Sequence, residues 1–363
     1  MYDVVIIGGG ASGLAAGITA KARGMSVLIL ESADRVGKKL LATGNGKCNI
    51  SNTGIKAENY NNLFAEKFLT KQDKFFRFFD ELGLKLKKVE DRIYPYSDSA
   101  ATVLNLLRSK FTDDEIVTGC KVEKVAKQGE LFIINDNFMA KNVILATGSN
   151  ATMGHNSHFL AESFGHKASK LKPAIVPLIT DTYFIKRLEN LRAKVEVSLI
   201  KDGNKVYSRN GEILFKDNGL SGIAVFMLSS YLARNEGNYD VAIDFAPDLT
   251  LEETEAFLAK NTIFGLLQKA IAESVVFQAQ KLGNKLGYTV KNFIVQNARL
   301  GSIKNAQVTC GGLNTDDFDE NLQSKLAKNL YACGEVLDVD GDCGGYNLYW
   351  AFISGITAGE SVC

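Results

Sequence analysis

The chain has 363 residues, 46% hydrophobic and 23% charged, with a formal net charge of +1. This is the composition of a globular protein long enough for two or three domains, and it excludes a disordered, collagenous or strongly charged chain. The neutral balance gives no global drive toward nucleic acid or anionic membrane, and no apolar run approaches the roughly 20 residues that span a bilayer.

The first strand is expected to begin almost directly after Met1, and no secretory leader is expected. Six cysteines (Cys48, Cys120, Cys310, Cys333, Cys343, Cys363) are scattered without C-x-x-C spacing. A reducing, cytoplasmic setting is expected, with no zinc site and no disulfide framework. Only four prolines occur and no Pro/Ser-rich linker, so the domains are expected to be interleaved. Nothing in the sequence sets an oligomeric state.

Tyr2 to Ser32 reads YDVVIIGGGASGLAAGITAKARGMSVLILES. Val4 to Ile7 is a short β-branched run that suits a buried parallel strand. Glycines break it, a small-residue helix runs from Ala11 to Arg23, Gly24 ends the helix, and Ser26 to Leu30 forms a second strand closing on Glu31. In this βαβ unit Gly8 permits a tight turn, Gly10 lets backbone approach a pyrophosphate, and Gly13 permits close helix–strand packing. The helix start at Ala11 and Ser12 offers N–H groups to phosphate. Glu31 lies 18 residues beyond Gly13, near the place of a ribose-binding acid. With Ser32 beside it, such an acid accepts ribose hydroxyls and disfavours a 2′-phosphate.

Further along, Asn59 to Leu82 is expected to be helical, with Phe64, Phe68, Phe75, Phe76 and Phe79 as a core stripe. Ser99 to Phe111 is also expected to be helical. Glu115 to Val125, Leu131 to Asn135 and Asn142 to Ala146 read as strands, and Val122 is expected against the cofactor. From Lys172 to Phe245 the periodicity turns β, in AIVPLIT, AKVEVSLIK, KVYSRNGEILF and YDVAIDF, and Leu251 to Gln280 reads as helix, with a cap-like DLTLEETEAF at its start. A strand at NLYACGE and a last helix from about Asn347 to Ser361 return to the nucleotide domain. The expected fold is α/β: a Rossmann-type domain from residues 1–170 and 300–363, an inserted β-barrel-like domain over 171–248 and a small helical domain over 249–299.

Three segments favour FAD over NAD. The basic, glycine-rich loop after Glu31 places Lys39, Leu40, Thr43, Gly44, Asn45, Lys47, Cys48 and Asn49 where an NAD domain has its third strand. ILATG ends a strand at Ala146, Thr147 and Gly148. LYACGE ends one at Gly334 and Glu335, a Gly-acid pair suited to a ribityl chain. The helix after Gly344 and Gly345 aims the N–H groups of Tyr346, Asn347 and Leu348 at a flavin pyrimidine edge, where its dipole favours the anionic reduced ring.

GKKLLATGNGKCNISN, LAESFGH, VPL, GLSG, VTCGGL and LYACGEVLDVDGDCGGYNLYWAFISG span nearly the whole chain. Through them it resembles the BaiN/RdsA-type NAD(P)/FAD-dependent oxidoreductases, a group that includes the aminoacetone-oxidase-like flavoproteins. The resemblance implies a FAD domain, a β-barrel-like domain and a small helical domain, and places Lys39 and Lys47 near the cofactor. The chain departs from the family pattern at Lys216, Asp217 and Ile223, and before Ser324.

Single residues read more plainly. Cys48 lacks a second cysteine five positions on, where Thr53 stands, so a small buried residue is favoured over a redox thiol. Covalent flavin attachment through Cys48 or Cys343 stays open. His155 and His158 lack a third metal ligand and are expected on a surface or loop. His166 is expected to close a helix end, and Asp338, Asp340 and Asp342 to be loop polarity beside the flavin. No metal and no catalytic acid or base is named. The expected function is hydride or electron transfer at flavin N5 to or from a small or medium organic substrate, in a pocket between the FAD domain and the insertion. No second G-x-G-x-x-G follows Ser149, so NAD(P)H would dock transiently. An amine-type oxidase using oxygen, or a non-catalytic flavoprotein, are the alternatives.

Overall fold

The structure, a computed structural model, describes residues 1–151 and 158–363. The chain forms two compact units, Met1–Leu171 with Val308–Cys363, and Lys172–Gln307.

The first unit is built on a seven-stranded sheet. Strand β1 (Tyr2–Ile7) leads through helix α1 (Ala11–Ala22) to strand β2 (Val27–Leu30), which lies parallel to β1 in the register Val4 to Val27 and Ile7 to Leu30. On the other side of β1, Phe138–Leu145 pairs parallel, with Ile7 opposite Leu145. The first half of that strand takes the antiparallel Leu131–Ile134, and its second half takes the parallel Leu330–Ala332. The two ends of the chain thus share one sheet. All four residues Val4 to Ile7 are buried, as the β-branched run requires.

The C-terminal helix Tyr346–Ser361 packs on α1 through glycine. A Cβ on Gly355 would lie 2.2 Å from the Ser12 carbonyl oxygen, and one on Gly359 2.3 Å from that of Ala16. Small residues on both faces let the two backbones meet directly. The aromatic stripe forms core on the same helix: Phe75 meets Tyr349 at 4.7 Å, and Phe68 meets Trp350 edge-on at 5.2 Å.

Asn59 to Leu82 is not one helix. Short turns at Ala57–Asn59 and Leu63–Ala65 precede helices Glu66–Leu69 and Gln72–Leu82. The Asn62 side chain accepts from Phe64 N–H and restarts the chain there. Of Glu115 to Val125, only Ile116–Val117 forms a strand before Val125 begins the next. Gly119 then turns the chain at φ +66°, and Val122 is buried in the unpaired stretch that follows.

The second unit contains a closed barrel. In order around it run Leu178–Ile179, Gly219–Ser221, Asn204–Lys216, Arg192–Lys201, Tyr239–Asp244 and Phe293–Leu300. Two features differ from the expectation. Ile223–Arg234 is a helix inside the segment read as β. Its sequence is apolar or small nearly all round, so it shows no amphipathic period. Phe293–Leu300, read with the helical segment, closes the barrel against both Tyr239–Asp244 and Leu178–Ile179. Helices Leu251–Leu258, Lys269–Leu282 and Leu286–Lys291 belong to the same unit. The Thr250 capping box starts the first of them, as the sequence indicated.

Candidate functional site

The site is assembled in the first unit, where β1, β2, Phe138–Leu145 and Leu330–Ala332 all end toward the same edge of the parallel sheet. Gly8 leaves β1 at φ +109°, and a Cβ there would lie 2.3 Å from the Ala146 carbonyl oxygen. A Cβ on Gly13 would lie 1.9 Å from the Gly8 carbonyl oxygen. These two glycines are therefore required by the protein's own packing. Gly10 differs: it is extended, and its Cβ position has nothing within 4 Å. No side chain caps α1 and no acid occupies its first turn. The N–H groups at Ala11, Ser12 and Gly13 begin that turn, and the helix dipole adds a partial positive charge.

Glu31 stands at the end of β2. Its Oε2 accepts from Gly9 N–H at 2.8 Å, and its Oε1 accepts from Ala33 N–H at 2.7 Å and Ser32 Oγ at 3.2 Å. The carboxylate is held beside the glycine loop, with acceptor capacity left over.

Residues 38–49 fold into a short helix, Lys38–Ala42, and a tight turn in which Gly44, Asn45 and Cys48 all have positive φ. Cys48 N–H reaches the Thr43 carbonyl at 3.1 Å, and Leu40 packs in the core. The Cys48 thiol is buried, and burial pushes its pKa up to about 11. That suppresses thiolate and suits a packing role. Lys47 is exposed.

Lys39 reaches Glu335 at 2.5 Å. The other Glu335 oxygen accepts from Ser149 Oγ and Thr309 N–H, each at 2.9 Å. Both oxygens of the acid expected to face a ribityl chain are thus engaged by protein, and so is the Lys39 charge. Gly334 N–H donates to Ser354 Oγ at 2.9 Å, and Trp350 Nε1 donates to the Gly334 carbonyl at 3.0 Å. A Cβ on Gly334 would lie 2.5 Å from Ser12 Oγ, so this strand end lies against the start of α1. Beside it, Gly148 turns at φ +67°, and Thr147 Oγ1 is buried without a hydrogen-bond partner.

The C-terminal helix also starts uncapped by any side chain, at Gly345 with φ +103°. The Gly345 Cβ position lies 2.4 Å from the Ser51 carbonyl oxygen and 2.9 Å from Asn49 Oδ1, itself buried without a partner. Asn52 Nδ2 donates to the Gly344 carbonyl at 3.1 Å. Asn347 is used structurally: its side chain accepts from Gly341 N–H and donates to the Gly341 carbonyl, both at 2.8 Å. Tyr346 sits edge-on to Tyr60 at 6.3 Å, and Tyr60 Oη donates to the Tyr346 carbonyl at 3.0 Å. Leu348 is partly buried against the core.

Several residues that build the site escaped the sequence reading: Ser149, Thr309, Asn52, Ser354 and Tyr60. Ser149 directly follows ILATG and Thr309 lies inside VTCGGL, but their link to Glu335 spans 186 and 26 residues and no local pattern announces it. His155 lies outside the described residues. His158, expected on a surface or loop, is 2% exposed, and burial lowers its pKa. It precedes the short helix Phe159–Glu162, whose apolar Leu160 and Ala161 draw the turn inward. His166 follows that helix, stacks on Phe318 at 4.7 Å and meets Ser324 Oγ at 2.7 Å through Nε2. Asp338 accepts from Gly311 N–H, and Asp342 from Asn59 Nδ2. Among the described residues none of the six cysteines is in a disulfide. No helix among the described residues is long and apolar enough to cross a membrane.

Comparison with known proteins agrees with the resemblance drawn from the motifs. The model of the HI0933-like protein Rossmann domain matches residues 2–361. A 3-dehydro-bile acid delta(4,6)-reductase of Clostridium scindens is 33% identical, with 99% of each chain covered. A ribosomal RNA dihydrouridine synthase of Escherichia coli is 27% identical over 97% of this chain and 96% of its own. Among solved structures, the open conformation of a flavocytochrome c3 fumarate reductase superposes with a TM-score of 0.50 at 16% identity, covering 99% of this chain and 78% of that one. This last likeness is one of fold. The chain belongs to the HI0933-like Rossmann-domain family of flavin-dependent oxidoreductases.

Proposed function

We propose that this protein is an FAD-dependent oxidoreductase that reduces a carbon–carbon double bond conjugated to a carbonyl, with NAD(P)H as a transient reductant. The observation that carries the reading is the end-to-end similarity to a delta(4,6)-reductase. The E. coli relative supports the same class, because a dihydrouridine differs from uridine by saturation of the ring double bond next to a carbonyl.

The residues present fit the cofactor. Two long helices start without a capping side chain, the Cβ position of Gly10 is open to 4 Å, and a carboxylate is fixed beside the glycine loop. In this proposal the N–H groups of Ala11, Ser12 and Gly13 bind the pyrophosphate. Glu31 accepts adenosine ribose hydroxyls and repels a 2′-phosphate. The start of the C-terminal helix, from Tyr346 to Leu348, favours negative charge at the pyrimidine edge. Thr147 Oγ1 and Asn49 Oδ1, buried and unpartnered, are two polar side-chain atoms left for the cofactor. Glu335 acts through its neighbours, fixing Lys39, Ser149 and the Thr309 backbone. FAD when bound supplies the hydride carrier, while the protein supplies orientation and electrostatics.

The test is anaerobic stopped-flow absorbance of the purified yellow protein with NADH and NADPH, followed by a 3-oxo-delta(4,6) steroid. Bleaching by a nicotinamide, then recovery of the oxidised spectrum with loss of dienone absorbance, is the expected result. Failure of both nucleotides to bleach the flavin overturns the reductant assignment. Bleaching without reoxidation by the steroid or by a uracil nucleoside overturns the substrate class.

A further inference from the structure

The second unit carries a group of aromatic rings at its surface, anchored by half-buried Phe184, which packs against the core and meets Phe293 at 6.3 Å. Tyr183 is 64% exposed and Phe277 is 37% exposed. Tyr183 meets Phe184 at 4.9 Å and Phe277 at 5.6 Å, and Phe184 meets Phe277 at 5.7 Å. Phe277 lies on the helix Lys269–Leu282, and Lys281, one turn on, sits over its ring at 5.9 Å. Lys186 and Arg187 are exposed in the turn that follows Phe184, and Lys285 is exposed just past the helix. Among the described residues, none of these four cations is in an ion pair. Three acids lie nearby in sequence. Asp181 is held by Asn297 Nδ2 at 2.7 Å, whereas Glu189 and Glu273 are exposed.

Water-exposed rings held against one another are disfavoured unless something covers them. An apolar protein surface would cover the rings but bury the cations without counter-charge, at a cost. A strand of nucleotides satisfies both. Bases stack on the ring faces, and phosphates pair with the ammonium and guanidinium groups. We propose that Tyr183, Phe184 and Phe277, with Lys186, Arg187, Lys281 and Lys285, form a docking surface for single-stranded nucleic acid. The charge is local, so the neutral chain as a whole does not announce it. The proposal is independent of the flavin reading, because binding here needs no cofactor.

The experiment is fluorescence anisotropy of short fluorescein-labelled oligouridylate and oligothymidylate with the full-length protein, across a salt series. Saturable binding at low salt is expected for both, since nothing on this surface reads a 2′-hydroxyl. The slope of log K against log salt should be roughly −3, from four cations at about 0.7 each. Tyr183→Ala should weaken binding at least about 5-fold. Arg187→Glu with Lys281→Glu should weaken it further and flatten the slope by at least about 1. These side chains are exposed, so unchanged melting curves serve as the folding control. Absence of saturable binding overturns the proposal. So does wild-type affinity in both variants, or self-association that Tyr183→Ala abolishes without any oligonucleotide binding.

Discussion

Lys39 and Glu335 stand 296 residues apart and meet at 2.5 Å, joining the loop after β2 to the strand end at Ala332. Glu335 also takes Ser149 Oγ and Thr309 N–H on its second oxygen. The pair is unequal. The Lys39 side chain is a third exposed, against 18% for Glu335. Lys39→Met is expected to lower stability by about 1 kcal/mol or less, as for a partly solvated pair. Glu335→Ala strands a hydroxyl, an N–H and an ammonium together, and is expected to cost about 2–3 kcal/mol. Urea denaturation of the flavin-free proteins checks the order, and equal losses would reduce Glu335 to an ion-pair partner.

Glu31 has a similar double role, toward Gly9 and Ala33 N–H inside the protein and toward ribose in the proposed complex. Glu31→Ala is expected to raise the FAD dissociation constant about 10- to 150-fold, the worth of charge-assisted hydrogen bonds. Cys48→Ala, which removes a buried thiol with a raised pKa, should leave it within about 3-fold. Titration of the flavin-free protein with FAD measures both. An unchanged constant for Glu31→Ala would remove Glu31 from the ribose site.

What the sequence disclosed follows the range of the interactions. The βαβ unit and the C-terminal motif were legible because glycine, β-branched runs and helix starts act locally; the last helix begins at Tyr346, one residue from its expected start. The Ile223–Arg234 helix was not, because a helix buried on most sides loses its period. Phe293–Leu300 gave no sign of which strands it joins, since closure is set by partners at Leu178–Ile179 and Tyr239–Asp244. The partner of Lys39 and the inward turn of His158 are tertiary facts of the same kind. Read singly, His158 looked like surface, and nothing local to Lys39 pointed to Glu335.

His166 should make stability depend on pH. Burial lowers its pKa below the ordinary value of 6.5, with Asp317 opposing. The group facing its Nδ1 is Asp317 at 3.5 Å, Ser324 faces Nε2, and Phe318 covers the ring. A depressed folded pKa means that the unfolded chain takes up the proton first. The neutral-His advantage is therefore complete above pH 6.5 and is lost as pH falls from there toward the folded pKa. His158 acts in the same direction. Denaturation midpoints should fall between about pH 7.5 and 5.5, above the main carboxylate range. His166→Gln should be less stable at the upper end and show a shallower fall. An unaltered slope would assign the dependence elsewhere.

The glycines of the first loop separate folding from cofactor binding. A Cβ on Gly13 would sit 1.9 Å from the Gly8 carbonyl oxygen, a backbone atom that has no rotamer to escape into. Gly13→Ala should therefore destabilise the flavin-free protein by about 3 kcal/mol. Gly345 is equally unsuited to a clean test, with φ +103° and the Ser51 carbonyl oxygen 2.4 Å from its Cβ position. Gly10 is extended at φ −79° with no atom within 4 Å of that position, so the protein alone tolerates a methyl group. Gly10→Ala should stay within about 1 kcal/mol of wild type without FAD, the usual scale of a helix N-cap change. A methyl group there projects to where the pyrophosphate is proposed to approach the helix start, so FAD affinity should fall by at least about 10-fold, a loss of about 1.4 kcal/mol. Denaturation of the flavin-free variant and FAD titration are read together. Wild-type affinity in Gly10→Ala would place the pyrophosphate away from this loop, whatever Gly13→Ala does to the fold.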